Sequence, residues 1–461
     1  MTDLSQPASR EEAHDPLLPT PVPAPVHGTA HRQRRQLLSQ WLYEKSGGQP
    51  AVAIGYSGQE IARNRDSTFA FRFSSDFFYL SGFPEPDAWF VIEVDAQGKM
   101  HDRLYCRARD PEKEIWDGVR VGPEHAAGRY YFDQAFPLEA LDADLPSLVL
   151  NKTALLAPWA ESPVVDQKLS QWINQARSKA RGGQTAPSQL YSLGDATAEQ
   201  RLIKDAQEIA TMSQAAAISA GAHCQAMRAT APGKAEYEIE AVLIGAFRAA
   251  GAQAVAYGSI VAGGPHSCIL HHRAGSRRMR AGEMLLIDAG CELNGYASDI
   301  TRSFPVSGRF SPEQRAVYDV VLAAQEAAQA ATRPGAAFTD PHQAAVRVIT
   351  QGLIDLKLIT SQNLETAIET EAYKPFYMHR TGHWLGMDVH DVGDYRRRLE
   401  PGMVLTLEPG IYIRPQEAVP EGFWNTGIRI EDDALITEEG CRLLTRGVPV
   451  APEAIESLMR G

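Results

Sequence analysis

The sequence predicts an α+β protein of two domains, a small mixed α/β domain followed by a larger one. Three observations carry that expectation. At 461 residues the chain exceeds the size at which one hydrophobic core keeps growing. The stretch 181–195 (RGGQTAPSQLYSLGD) gathers Gly, Pro, Ser and Asp, the residues of a linker. Beyond it, helical runs alternate with strand candidates bounded by Gly and Pro, without a regular strand-helix-strand series.

Taken in order, residues 1–30 are rich in Pro, Ala, Ser and acids and have no apolar period, so a disordered tail is expected there. Residues 31–195 form the first domain, with a helix over Arg32–Tyr43 and a strand over Trp89–Val94. Residues 196–461 form the second. Thr197 and Gln200 have the spacing of a capping box, and Leu202, Ala206, Ile209, Met212 and Ala216 follow at helical spacing, which predicts a long amphipathic helix. Further helices are expected over 236–250, 312–331 and 341–356.

Composition narrows the function. With 44% apolar and 22% charged residues the chain is average for a soluble protein, and no apolar run approaches the ~18 residues of a membrane span. The net charge is -12 and the basic clusters at 31–35 and 396–398 are short, which argues against nucleic acid as a partner. The five cysteines (Cys106, Cys224, Cys268, Cys291, Cys441) are scattered, with no C-x-x-C pair. Reduced thiols are therefore expected. The opening MTDLSQPASREEAHDP has neither a basic nor an apolar region of a secretory signal, so a cytoplasmic location is the expectation.

The chemistry begins with LLIDAGCELNGYASDITRSF. Asn294-Gly295 between two strand-like runs predicts a two-residue hairpin turn. Pairing then sets Leu293 against Tyr296, Glu292 against Ala297, Cys291 against Ser298 and Gly290 against Asp299, so Asp288 and Asp299 share a face. Carboxylates so placed repel unless a cation lies between them; by themselves they read equally well as solvent-facing acids. Two later strand candidates also carry acid: VLTLEPGIYI with Glu408, and GIRIEDDALI with Glu431 beside Arg429. Each alone reads more readily as half of a structural salt bridge. The run HRTGHWLGMDVHD supplies His379, His383 and His390. It is not a zincin motif, because Arg380 stands where H-E-x-x-H needs Glu, and Gly382 and Gly386 argue against a helix. Four carboxylates and one imidazole form a hard donor set, whose charge of four balances two divalent ions and favours Mn²⁺, Fe²⁺ or Co²⁺. Such a pair of ions is the signature of a dinuclear hydrolase.

Asp288, Asp299, His383, Glu408 and Glu431, in that order and inside those motifs, resemble the metallopeptidase family with the pita-bread fold. HWLGMDVHD, CILHH around His271, the Asp hairpin, LEPGIYI and GIRIEDD resemble most its bacterial aminopeptidase P branch. In the first domain SSDFFYLSGFPEPDA (Asp76) and EIWDG (Trp116) are similar to the same branch. The resemblance covers residue 31 onward and departs at Arg380, where the family often has glycine. It implies a pita-bread catalytic domain that removes the residue before a penultimate proline, through a hydroxide bridging two metals, with Mn²⁺ the expected ion. Asp299 and Glu431 would bridge, Asp288 would hold one metal, and His383 and Glu408 the other. His271, His379 and His390 would line the pocket, with His390 on the scissile carbonyl. Glu408 would move the proton, Arg429 would orient the bridging carboxylate, and Tyr412 would neighbour it. Arg201 and Tyr257 match locally without an assigned role. The resemblance also implies a homo-oligomer, tetramer or dimer, in which Asp76 and Trp116 reach a neighbour. Two alternatives stay open: a prolidase restricted to Xaa-Pro dipeptides, and an inactive pita-bread binding module.

Overall fold

The computed structural model describes residues 28–179, 182–360 and 363–460, and the chain divides into two compact units, Met1–Ala196 and Thr197–Gly461. The expected tail lies outside the described residues up to position 27; residues 28–30 open the first helix, Gly28–Lys45.

The first unit holds a six-stranded mixed sheet in the order Gln134–Pro137, Met100–Cys106, Trp89–Val94, Ala51–Tyr56, Ala154–Ala157, Gln189–Ser192. Its central strand AVAIGY is buried along its whole length, as a strand covered on both faces must be. Trp89–Val94, the strand expected from the sequence, pairs antiparallel with it, and Ala154–Ala157 pairs parallel on the other side. Trp89 meets Trp172 edge to face at 5.5 Å, within a core that includes Val52, Val91, Leu155 and Leu169. Arg35 Nε donates to Asp102 Oδ2 at 2.6 Å with both side chains fully buried. The Leu80 and Tyr131 carbonyls take further Arg35 donors, which is how a buried cation becomes tolerable. Part of the expected linker is the edge strand Gln189–Ser192, because Leu190 and Tyr191 follow the last Pro and continue the ladder beside Leu155 and Leu156.

In the second unit the long helix starts later than predicted. It runs Ala206–Ala229, capped by Asp205, whose carboxylate accepts from Gln207 N and Glu208 N while Glu208 reaches back to Asp205 N. Thr197 and Gln200 lie instead within a separate helix, Leu193–Leu202. A tertiary contact makes the break: Lys204 N donates to Gly402 O at 2.9 Å, which takes the chain out of helical geometry just before the better cap. The helices Glu236–Ala249, Pro312–Ala331 and Asp340–Asp355 lie within one residue of their expected bounds.

Most strands of this unit form two long antiparallel hairpins, flanked by Ala254–Val255, Ile260–Gly263 and Cys441–Leu443. The first turns at Asn294-Gly295, whose φ angles of 52° and 80° are those an Asn-Gly turn requires. Leu293 faces Tyr296 and Glu292 faces Ala297; further down, Asp288 faces Thr301 and Met284 faces Pro305 in the same register. In the second hairpin Val404–Leu407 pairs with Asp432–Ile436 and Gly410–Ile413 with Thr426–Arg429, again in one register. Glu431 N donates to Thr301 O at 3.1 Å and Arg429 N to Ser303 Oγ at 3.0 Å, joining the hairpins edge to edge. Helices Ala206–Ala229 and Pro312–Ala331 pack on these strands over a core that includes Leu285, Ile287, Val317, Leu405 and Ile428. The α+β expectation holds. Among the described residues no helix is long and apolar enough to cross a membrane.

Candidate active site and metal centre

Each hairpin is interrupted once, and the acids sit at the interruptions. In the first, Ser298 N to Cys291 O and Ala289 N to Ile300 O (3.1 Å each) carry the register through, so Asp299 faces Gly290 as the sequence predicts. A Cβ on Gly290 would lie 1.6 Å from the Ser298 carbonyl oxygen; glycine alone permits this approach. In the second, Leu407 faces Asp432 and Gly410 faces Arg429, which sets Glu408 against Glu431 in the gap between. Like charges directly opposite destabilise a ladder, and Pro409 has no N–H to give it. The run GIRIEDDALI is therefore two strands, not one, and Glu431 lies where they part.

His383 arrives on a segment lying antiparallel to Val404–Leu407: Thr406 N donates to His383 O at 2.9 Å, Leu385 N to Val404 O at 3.0 Å and Glu408 N to Thr381 O at 2.8 Å. Gly382 makes this possible, since a Cβ there would meet the Thr406 carbonyl oxygen at 2.0 Å. The segment is extended rather than helical, as its glycines predict.

These elements bring all five expected ligands to one cavity of about 600 Å³, which His271, His379, His390 and Arg429 also line. Asp299, His383 and Glu431 each offer a donor atom within 4.8 Å of one another. His383 Nε2 is 3.5 Å from Asp299 Oδ2 and 3.7 Å from Glu408 Oε1. Its Nδ1 donates to the Trp384 carbonyl at 3.0 Å, which turns Nε2 toward the carboxylates, the orientation a metal-binding histidine takes. His390 stands edge-on to His383, ring centres 4.3 Å apart.

Tyr412 lies behind the cavity wall. Its hydroxyl accepts from Arg429 Nη1 at 2.8 Å and meets His379 Nε2 at 2.7 Å. Because His379 Nδ1 donates to the Arg380 carbonyl at 2.8 Å, its Nε2 accepts the tyrosine proton in the neutral ring. Arg429 pairs directly with Asp288 Oδ2 at 2.6 Å. It reaches Glu431 through Thr301, which accepts from Arg429 Nε at 3.1 Å and donates to Glu431 Oε2 at 2.6 Å.

The electrostatics call for a cation. Burial, and then the neighbouring Asp288, raises the Asp299 carboxyl. Burial, and then Asp299 and Glu408, holds Glu431 well above the usual carboxylate range. Glu408 is pushed up to about 7 by burial, against the pull of His383 and Arg429. Burial disfavours charge on His383, yet Asp299 and Glu408 beside it raise it to about 9. Burial lowers His379 to about 4 and also lowers His390, with His383 and His271 adding to the effect. Acids crowded until they resist ionisation, around an imidazole that welcomes charge, are a donor set suited to divalent cations. The residues present thus fit a metal centre.

Three features go beyond the residues assigned from the sequence. Tyr257, noted there without a role, donates its hydroxyl to Asp288 Oδ1 at 2.6 Å and also contacts Asp299 Oδ1. Asp433 accepts from Asp299 N at 3.2 and 3.3 Å and holds that residue's backbone; its signal in the sequence is its place two residues beyond Glu431, on the same strand side. Glu236, fully buried, takes His266 Nδ1 at 2.7 Å, His272 Nε2 at 2.9 Å, Gly263 N at 2.9 Å and Gly275 N at 3.1 Å. With its acceptor sites used, it clasps the segment that carries His271 into the cavity.

Known proteins resemble this chain in sequence and fold. The sequence matches metallopeptidase family M24 over residues 210–438 and the aminopeptidase P N-terminal domain over residues 31–156. It is 39% identical to the Xaa-Pro aminopeptidase of Escherichia coli, across 93% of this chain and 97% of that one. It is 40% identical to the Haemophilus influenzae Xaa-Pro aminopeptidase across 88% and 92%. Among solved structures, Pseudomonas aeruginosa aminopeptidase PepP superposes with a TM-score of 0.90 at 46% identity, covering 94% of this chain and 98% of that one. Zinc-substituted E. coli aminopeptidase P in complex with product gives the same TM-score at 38% identity and the same coverage. The chain therefore belongs to metallopeptidase family M24, the pita-bread metallopeptidases, and carries an aminopeptidase P N-terminal domain ahead of the catalytic one.

Proposed function

We propose that this protein is a cytoplasmic, metal-dependent aminopeptidase that releases the amino-terminal residue of peptides whose second residue is proline. The observation that carries the reading is the convergence of Asp288, Asp299, His383, Glu408 and Glu431 on one cavity with three further histidines, in a chain alike along nearly its whole length to Xaa-Pro aminopeptidases. Asp288, Asp299, His383, Glu408 and Glu431 would hold the metal, with Asp299 and Glu431 shared between two ions in this reading. Two divalent ions, Mn²⁺ in this reading, would supply Lewis acidity and a hydroxide nucleophile at neutral pH when bound.

The protein's groups do the rest. A peptide bond to proline is a tertiary amide with no N–H, so a protease that reads a backbone donor there has nothing to hold; carboxylates that position cations need no such donor. His390, kept neutral by its surroundings, donates to the scissile carbonyl oxygen as that oxygen gains charge. Glu408, on the cavity wall beside His383, takes the nucleophile's proton and delivers it to the prolyl nitrogen. Arg429 and Tyr412 fix Asp288 and His379, and His271 and His379 contact the substrate. A homo-oligomer, as dimer or tetramer, is part of the reading.

Metal-stripped enzyme titrated with Mn²⁺ is expected to gain Ala-Pro-Ala hydrolysis until two equivalents are bound per chain. Full activity at one equivalent, or turnover with none, would contradict the dinuclear site.

A further inference from the structure

Arg380 stands on the wall of the 600 Å³ cavity. It also lines a second cavity of about 220 Å³ that shares Gly382 with the first. Its backbone is held, because its carbonyl accepts from His379 Nδ1 at 2.8 Å, and His379 Nδ1 is 4.0 Å from Glu408 Oε2. Its side chain is exposed. Among the described residues its guanidinium has no hydrogen-bond or ion-pair partner. Arg273, also exposed and lining the cavity, donates to the Gly258 carbonyl and, among the described residues, has no carboxylate within ion-pair distance. Arg429, by contrast, is fully engaged with Asp288, Tyr412 and Thr301. The cavity therefore carries two kinds of charge: the buried acids of the candidate metal centre, and on its wall two exposed guanidinium groups with no carboxylate in ion-pair contact among the described residues.

A peptide entering such a site is oriented by its own charges. Its amino-terminal residue carries the scissile carbonyl and so belongs at the acids of the metal centre, which leaves the arginines to the segment beyond proline. We propose that Arg380, with Arg273 as a second cation, binds a carboxylate on the leaving side of the substrate. Arg380 is then a specificity determinant for short peptides with a free carboxyl end, or for an acidic side chain after the proline. In an extended tripeptide the terminal carboxylate lies two residues past the scissile carbonyl, about 7 Å away, a span that an arginine on the cavity wall can meet. The planar guanidinium suits a carboxylate because it offers two parallel N–H donors. This inference rests on the aminopeptidase reading and adds the substrate class to it.

Steady-state kinetics on Ala-Pro-Ala, its carboxamide, and the carboxamide of Ala-Pro-Asp test it, with Mn²⁺ present. The wild type is expected to favour at least one carboxylate-bearing peptide over Ala-Pro-Ala amide by about tenfold in kcat/KM, mainly through KM. Preference for free Ala-Pro-Ala assigns the chain end; preference for the Asp peptide assigns the side chain. Arg380→Ala should bring the ratio to within about twofold of unity, and Arg380→Lys, which keeps the charge but loses the fork, should retain part of it. A wild-type ratio near unity for both carboxylate peptides, or a preference that survives Arg380→Ala intact, overturns the proposal while turnover of the amide leaves the aminopeptidase reading standing. No turnover of any of the three would remove both.

Discussion

Asp299→Ala enzyme is expected to lose bound metal and to show no measurable release of alanine from Ala-Pro-Ala, and Glu431→Ala should behave alike. Asp299 lies in the interruption of the first hairpin with His383 Nε2 3.5 Å from its Oδ2, and its backbone N is held by Asp433. Glu431 lies in the matching interruption of the second hairpin, bonded by Thr301. Each variant removes a donor from the Asp299, His383 and Glu431 group, so the loss should exceed the ~10–100-fold that removing a hydrogen-bonding partner of a ligand costs. Metal content by plasma emission, measured beside kcat on the same preparation, checks it. Wild-type turnover in metal-saturated Asp299→Ala enzyme would show that this carboxylate is not a ligand.

His390→Ala should give the opposite pairing of results, with metal retained and kcat lowered by about 10²-fold, the effect of removing one donor to a developing oxyanion. His390 stands ring to ring with His383 but is not one of the three residues whose donor atoms converge. It lines the cavity, and burial together with His383 and His271 favours its neutral, N–H-donating form. Loss of metal would make it a ligand, and unchanged kcat would remove it from the reaction.

The parts of this site legible in the sequence are those set by local chemistry. Asn294-Gly295 dictates its own turn, and strand alternation then places Asp299 opposite Gly290. Pro409, Gly382 and Gly386 mark where regular structure stops. What was not legible depends on chain segments far apart. Asp205 rather than Thr197 caps the long helix because Gly402, nearly two hundred residues on, draws Lys204 N away. Glu408 and Glu431 split their strands because each faces the other, a fact contained in neither motif alone. Tyr257 reaches Asp288 and Asp299, and Glu236 clasps His266 and His272, through packing that no spacing rule encodes. Arg429 shows the same limit: its strand neighbour is Glu431, yet its direct carboxylate partner is Asp288 on the other hairpin.

The measurement that tests the central claim most directly is hydrolysis of Ala-Pro-Ala, Ala-Pro and Ala-Ala-Ala by metal-stripped enzyme, with and without Mn²⁺ added back. Release of alanine from Ala-Pro-Ala alone, and only with metal, is the expected result. Cleavage confined to Ala-Pro would make the protein a prolidase, and no cleavage of any peptide with both metals bound would contradict the enzymatic account altogether.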